Sequence, residues 1–189
     1  MKKRLVMFTI IACMLFTFQI ASANELVANG GFETGNFTDW ITLPAGSGSL
    51  FFVTSYVAHS GIYSAAFGAV GTLDDSILQV GLATTPGRSY TFSFWLDHPY
   101  GVSSNDFSAY WNGTPVVNLF NQGFFGWTQY SFTETATGSS TYIAFSGREV
   151  PAYFYLDDVS VKSVPEPASL LLLGLGLIGI AGIRKKFKS

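Results

Sequence analysis

Tyr90-Thr91-Phe92-Ser93-Phe94-Trp95-Leu96-Asp97 is the stretch on which the fold turns. Large apolar residues at 90, 92, 94 and 96 alternate with Thr91, Ser93, Trp95 and Asp97, a period of two that points the two sets to opposite faces of a strand. The pattern returns further along. Phe107, Ala109 and Trp111 alternate with Asp106, Ser108, Tyr110 and Asn112; Thr128, Tyr130 and Phe132 alternate with Gln129, Ser131 and Thr133. Turn chemistry punctuates these runs at Thr85-Pro86-Gly87, Pro99-Tyr100-Gly101, Asn112-Gly113, Gln122-Gly123 and Thr137-Gly138. Strands spaced by roughly 8–12 residues, without a helical period, predict an all-β antiparallel β-sandwich.

The ends of the chain read differently. Met1-Lys2-Lys3-Arg4 precedes an uncharged run from Leu5 to Ile20 and the small-residue triplet Ala21-Ser22-Ala23. A basic start, an apolar run and an A-x-A triplet are the parts of a signal peptide, expected over 1–23, with signal peptidase reading Ala21 and Ala23. A retained anchor is the alternative. Cys13 sits in a lipobox-like context, but seven mostly apolar residues follow it, which speaks against lipidation there.

At the other end, Val164-Pro165-Glu166-Pro167 is followed by an uncharged stretch over 168–183 and then Arg184-Lys185-Lys186-Phe187-Lys188. Such a stretch makes a helix of roughly 24 Å, a little short of a hydrocarbon core of about 30 Å, so it spans with thinning or snorkelling flanks. The basic cluster is expected to stay on the cytoplasmic side. Gly174, Gly176 and Gly179 match a dinucleotide fingerprint by letters alone; they lie within this apolar stretch with no preceding strand, and more plausibly shape a slim helix face.

Between these ends, residues 24–163 are expected to form one domain with a sizeable core. It holds Arg88, Arg148 and Lys162 against eleven acids, a net charge of −8, so a nucleic-acid partner is disfavoured by repulsion. The chain's only cysteine, Cys13, leaves with the signal peptide, which excludes disulfide and thiolate chemistry from the mature domain.

The motif Val164-Pro165-Glu166-Pro167, the Gly-rich apolar stretch and the basic tail together resemble the PEP-CTERM sorting signal, over 164–189. That resemblance implies recognition and cleavage by exosortase, transient anchoring in the inner membrane through the 168–183 helix, and a destination at the cell envelope, the cell surface or the extracellular matrix of a Gram-negative bacterium. A second resemblance covers most of the domain. Asn29-Gly30-Gly31-Phe32-Glu33-Thr34-Gly35 with Trp40, then His59-Ser60-Gly61-Ile62-Tyr63-Ser64, then Tyr155-Leu156-Asp157-Asp158-Val159 resemble, in order, the markers of galactose-binding-like jelly rolls of carbohydrate-binding modules. This implies a jelly roll whose first and last strands lie close. It also implies a structural Ca²⁺ held by Glu33, by Asp157 or Asp158, and by carbonyls of the segment at Ser60; a hard cation of this kind takes six to eight oxygens. Alternation around Leu156 and Val159 is broken, and one of the two aspartates is expected to face inward, with Asp157 preferred. The other reading is that Glu33 caps a turn and the Asp pair forms a solvated bulge.

Candidate ligand contacts follow from the strand faces. Trp95, beside Asp97, and Tyr110, beside Asn112, sit among polar residues, where an aromatic ring is a stacking platform for a pyranose or else a core residue under loops. If their strands were neighbours, the two rings would share one surface. Arg148 is placed in the same groove, Phe120, Phe124 and Phe125 form an apolar lip, and Trp40, Trp111 and Trp127 read as core. Catalysis is disfavoured: there is no nucleophile elbow, and Asp74-Asp75 are adjacent, so in a strand they point apart. The reading is a non-catalytic, polysaccharide-binding surface or matrix protein, with a structural or adhesive protein acting through protein contacts as the alternative.

Overall fold

The structure is a computed structural model that describes residues 23–101 and 104–165. The expected signal peptide up to Ala21, the sorting residues Glu166 and Pro167, the helix expected over 168–183 and the basic tail lie outside the described residues. Asn24–Val164 form one compact unit.

Ten strands run in chain order: β1 (Ile41–Leu43), β2 (Phe51–Thr54), β3 (Ser64–Phe67), β4 (Asp75–Ala83), β5 (Ser89–His98), β6 (Asp106–Trp111), β7 (Thr114–Phe120), β8 (Phe125–Thr135), β9 (Ser140–Arg148) and β10 (Phe154–Ser163). They form two five-stranded sheets, a front sheet in the order β2-β3-β10-β5-β8 and a back sheet in the order β1-β4-β9-β6-β7. Every pairing between these strands is antiparallel. The described residues form an all-β sandwich, as the alternation predicts.

The 90–97 run lies within β5, at an inner position of the front sheet, which is why its period is the clearest. Tyr90, Phe92, Phe94 and Leu96 all face the core. There they meet Phe107 of β6 and Phe145 of β9 from the back sheet; Phe94 lies edge-on to Phe145 at 5.1 Å. Aromatic pairs of this geometry add about 0.5–1.5 kcal/mol beyond their buried area. The predicted turns separate the strands they were expected to separate. Asn112 (φ 47°) and Gly113 (φ 78°) both take the left-handed conformation that a tight two-residue hairpin needs, and they join β6 to β7.

The opening motif has a packing reason. Val159 donates its N–H to the Gly30 carbonyl at 3.0 Å, and a Cβ on Gly30 would overlap the Val159 carbonyl oxygen. Phe32 is fully buried and stacks on Trp40, whose indole N–H donates to the Asn29 carbonyl. Trp40 and Trp111 are core residues, but Trp127 is not. It is half-buried and lies outside the core cluster, because on β8 it sits three residues before Tyr130, which packs on the core, and so falls on the other face.

Candidate functional site

The strand order separates what the sequence placed together. Trp95 and Asp97 lie on the outward side of β5 in the front sheet, whereas Tyr110 lies on the outward side of β6 in the back sheet. The two rings therefore occupy opposite surfaces of the sandwich. Asn112 is engaged in its hairpin: its side-chain oxygen accepts the Tyr142 N–H at 3.0 Å. Arg148 belongs to the back sheet too, its Nε 2.9 Å from Asp74 and its Nη2 3.5 Å from Asp106. Burial raises the pKa of both acids, and the Arg148 guanidinium opposes that rise. Phe124 and Phe120 are exposed, while Phe125 packs partly on the core.

Trp95 does not present an open face on its loop side. The His59 imidazole stacks on it with centroids 3.8 Å apart, and Trp127 meets the same imidazole edge-on at 5.5 Å. His59 Nδ1 lies 2.6 Å from Asp158 Oδ2. The segment around 59–63 is thus clamped onto the front sheet by rings and carboxylates.

Those carboxylates are the ones expected to hold calcium. Asp157 is fully buried; its Oδ2 accepts N–H bonds from His59 (2.8 Å) and Ser60 (3.1 Å), and its Oδ1 accepts one from Asp158 (2.7 Å). Asp158 Oδ1 accepts the Ser60 hydroxyl at 2.6 Å. Glu33 Oε1 accepts the N–H groups of Ile62 and Tyr63, both at 3.0 Å. Asp157 is the aspartate that faces inward, as expected, while the partly exposed Asp158 also reaches the loop. A β-bulge between Asp157 and Ser160, with Asp158 at φ 49°, rotates the second carboxylate onto the side of the first. Burial pushes the Asp157 carboxyl up to about 6, against the pull of its three N–H donors. All six carboxylate oxygens face protein N–H, imidazole or hydroxyl groups. Among the described residues, no group of three or more His, Cys, Asp or Glu side chains is placed to hold a metal ion. As arranged, these oxygens are engaged by peptide N–H, imidazole and hydroxyl donors.

The concave feature of the front sheet lies beside this loop. On β2, Phe51 and Val53 pack inward, which leaves Phe52 and Thr54 outward. Ala66 of β3 is the cross-strand neighbour of Phe52 on one side and of Tyr155 of β10 on the other, and it is fully buried between them. Phe52 and Tyr155 thus flank one small residue and line a groove with Tyr153, Pro151 and Ala152. Tyr153 closes the end, edge-on to Phe52 at 5.3 Å and 6.2 Å from Tyr155; it leans over Gly68, where a Cβ would strike its ring. Exposed Tyr56 and Tyr100 complete the rim of a groove of about 480 Å³. That volume lies in the range of small-ligand sites. Asp97 is the cross-strand partner of Tyr155 and is 7% exposed. Burial raises the Tyr155 pKa first, followed by the neighbouring phenols and the Asp97 charge.

Sequence reasoning named Asp97 and passed over the rings. Phe51-Phe52-Val53 carried a signal, since an unbroken apolar run has no polar face to give to water. So did Tyr153-Phe154-Tyr155, which sets two tyrosines on the side opposite a core phenylalanine. It also passed over Glu149, whose Oε1 lies 2.6 Å from His98 Nε2, both side chains having no exposure. His98 further contacts the Gly123 carbonyl and stacks on Phe154 at 4.3 Å, so the pair pins the 121–124 turn inside the fold.

Residues 163–186 match the PEP-CTERM protein-sorting motif. No curated protein matches this chain. In shape the chain is similar to TmCBM61, solved in complex with β-1,4-galactotriose, with a TM-score of 0.57 at 18% identity over 75% of this chain and 99% of that one. It is also similar to the CBM22-1 xylan-binding domain from Paenibacillus barcinonensis Xyn10C, with a TM-score of 0.54 at 16% identity over 77% of this chain and 97% of that one. The K3 cleaved adhesin domain of Lys-gingipain from Porphyromonas gingivalis matches with a TM-score of 0.57 at 17% identity, over 75% and 99% of the two chains. The fold is the galactose-binding-like β-sandwich, and the chain ends in a PEP-CTERM sorting motif.

Proposed function

We propose that this is an exported, non-catalytic surface or matrix protein that binds a polysaccharide in the aromatic groove of the front sheet. The sorting motif supports export, processing by exosortase and delivery to the envelope, with a membrane stage before processing. Neighbours of the same fold whose ligands are β-1,4-galactotriose and xylan support a glycan as ligand. The observation that carries the reading is the groove itself: Phe52, Tyr153 and Tyr155 line it together and offer ring faces and hydroxyls. A pyranose stacks its apolar face on such rings and hydrogen-bonds its hydroxyls at the edges. The ligand site moves from Trp95 and Tyr110 to these rings, with Asp97 retained at its border.

Affinity electrophoresis of the protein in gels containing galactan or xylan, followed by titration, tests this. Tyr155→Ala is expected to weaken binding about five- to tenfold. Tyr110→Ala, on the opposite surface, is expected to leave it unchanged. Equal loss in both variants, or retardation by no polysaccharide at all, would favour the second reading, an adhesive protein acting through protein contacts. Exposed Phe120 and Phe124 at the β7–β8 turn supply the observation behind that alternative.

A further inference from the structure

The groove's charge pattern narrows the class of glycan, an inference that rests on the polysaccharide reading above. We infer that the groove takes a glycan carrying protonated amines, that is, a polymer with free amino-sugar residues, in preference to neutral or uronic-acid polymers.

Three observations lead there. First, the walls are ring faces. Phe52, Tyr153 and Tyr155 line the groove with Tyr56 and Tyr100 at the rim, and the negative face of an aromatic ring attracts an ammonium group placed over it within about 6 Å. Second, a carboxylate is buried behind the rings: Asp97 is the cross-strand partner of Tyr155, and no Lys or Arg pairs with it among the described residues. It is more than nine-tenths buried and takes a hydrogen bond from the His98 backbone. A carboxylate taken out of water in this way is stabilised by an arriving positive charge.

Third, the positive side chains of the domain are elsewhere. Arg148 is held by Asp74 and Asp106 on the back sheet, and Lys162 lies 3.6 Å from Glu25. Arg88 precedes the first residue of β5 whereas Asp97 is its ninth, a separation of roughly 27–30 Å along the strand. A uronate or sulfate entering the groove meets an acidic domain and no counter-charge. An amino sugar meets ring faces, with the Asp97 carboxylate behind Tyr155 adding its field.

The test is isothermal titration of the full chain, purified in detergent, with three oligosaccharide probes: a β-1,4-linked glucosamine oligomer, its fully N-acetylated counterpart and a uronic-acid oligomer of equal length. With the amine protonated, the glucosamine oligomer is expected to bind about tenfold more tightly than the acetylated one. That ratio is expected to fall towards one when the pH is raised past the amine's pKa, and the uronic oligomer is expected not to bind. Asp97→Asn is expected to shrink the ratio. The pH comparison on the unmodified protein needs no variant, so the test survives if Asp97→Asn does not fold. Tight binding of the acetylated or uronic oligomer, with no advantage for the free amine at either pH, overturns the amine inference and leaves the polysaccharide reading standing. Binding of none of the three, together with no retardation by galactan or xylan, removes both.

Discussion

The front and back sheets contribute their inner faces to one core and differ in what they show to solvent. The back sheet carries a charge-paired surface, Arg148 between Asp74 and Asp106, with Ser108 bonded to Asn118 across the β6–β7 pair. The front sheet carries rings, a buried acid and a loop clamped by three carboxylates. Inward positions are set by the need to fill a core, so they look alike on both sheets. Outward positions are free of that requirement, and a concentration of rings there costs solubility unless something covers them. The difference between the outer faces, rather than the shared core, is where function is to be sought.

The largest effect should come from the clamp. Asp157→Ala removes the acceptor of the His59, Ser60 and Asp158 N–H groups and is expected to cost about 3 kcal/mol in a chemical denaturation curve, because donors are left buried and unpaired. Tyr56 stands three residues before His59, so the same variant should also loosen the groove's rim and weaken glycan binding. A loss below about 1 kcal/mol would mean that the loop holds its place through the His59–Trp95 stack and the Asp158 and Glu33 contacts without Asp157.

Smaller, and on the other surface, is the effect of Arg148→Ala. It leaves Asp74 and Asp106 facing each other without a cation and is expected to cost about 1 kcal/mol, since the pair is partly exposed. Glycan affinity should not move. If it did, the back sheet would share in the site and the contrast between the two surfaces would fail.

The core was legible in the sequence because burial on one face imposes a period of two, and 90–97 shows it without interruption. Turns were legible because positive φ restricts residue choice, as at Asn112-Gly113. The site was legible only in part. Which sheet receives β5 and which receives β6 is decided by long-range pairing, to which local alternation is blind, so the sequence leaves open whether Trp95 and Tyr110 share a surface. The broken alternation between Leu156 and Val159 was legible, and the bulge between Asp157 and Ser160 is its structural counterpart. Ala66 gives no chemical signal at all; it matters only because the pairing sets Phe52 and Tyr155 on either side of it.

The smallest expected effect is that of a chelator, and its interest lies in the sign of the accompanying pH dependence. If N–H donors alone neutralise Glu33, Asp157 and Asp158, then EDTA leaves the melting temperature unchanged. A bound Ca²⁺ would instead add stability that chelation removes, several degrees' worth. The pH profile separates the cases independently. Asp157 in the folded domain titrates at about 6, raised by burial from an ordinary value of 3.8, so between those two values the folded state holds more protons than the unfolded one. Its contribution is therefore fully present below about 4 and is lost as pH rises to about 6. A metal held by the same carboxylate reverses the slope, because protons compete with the cation and stability then climbs with pH. Melting curves taken with and without chelator across that interval read both signs from one sample. A falling profile, indifferent to EDTA, is expected, and Asp157→Asn should flatten it; a rising, chelator-sensitive profile would install calcium in this corner of the front sheet.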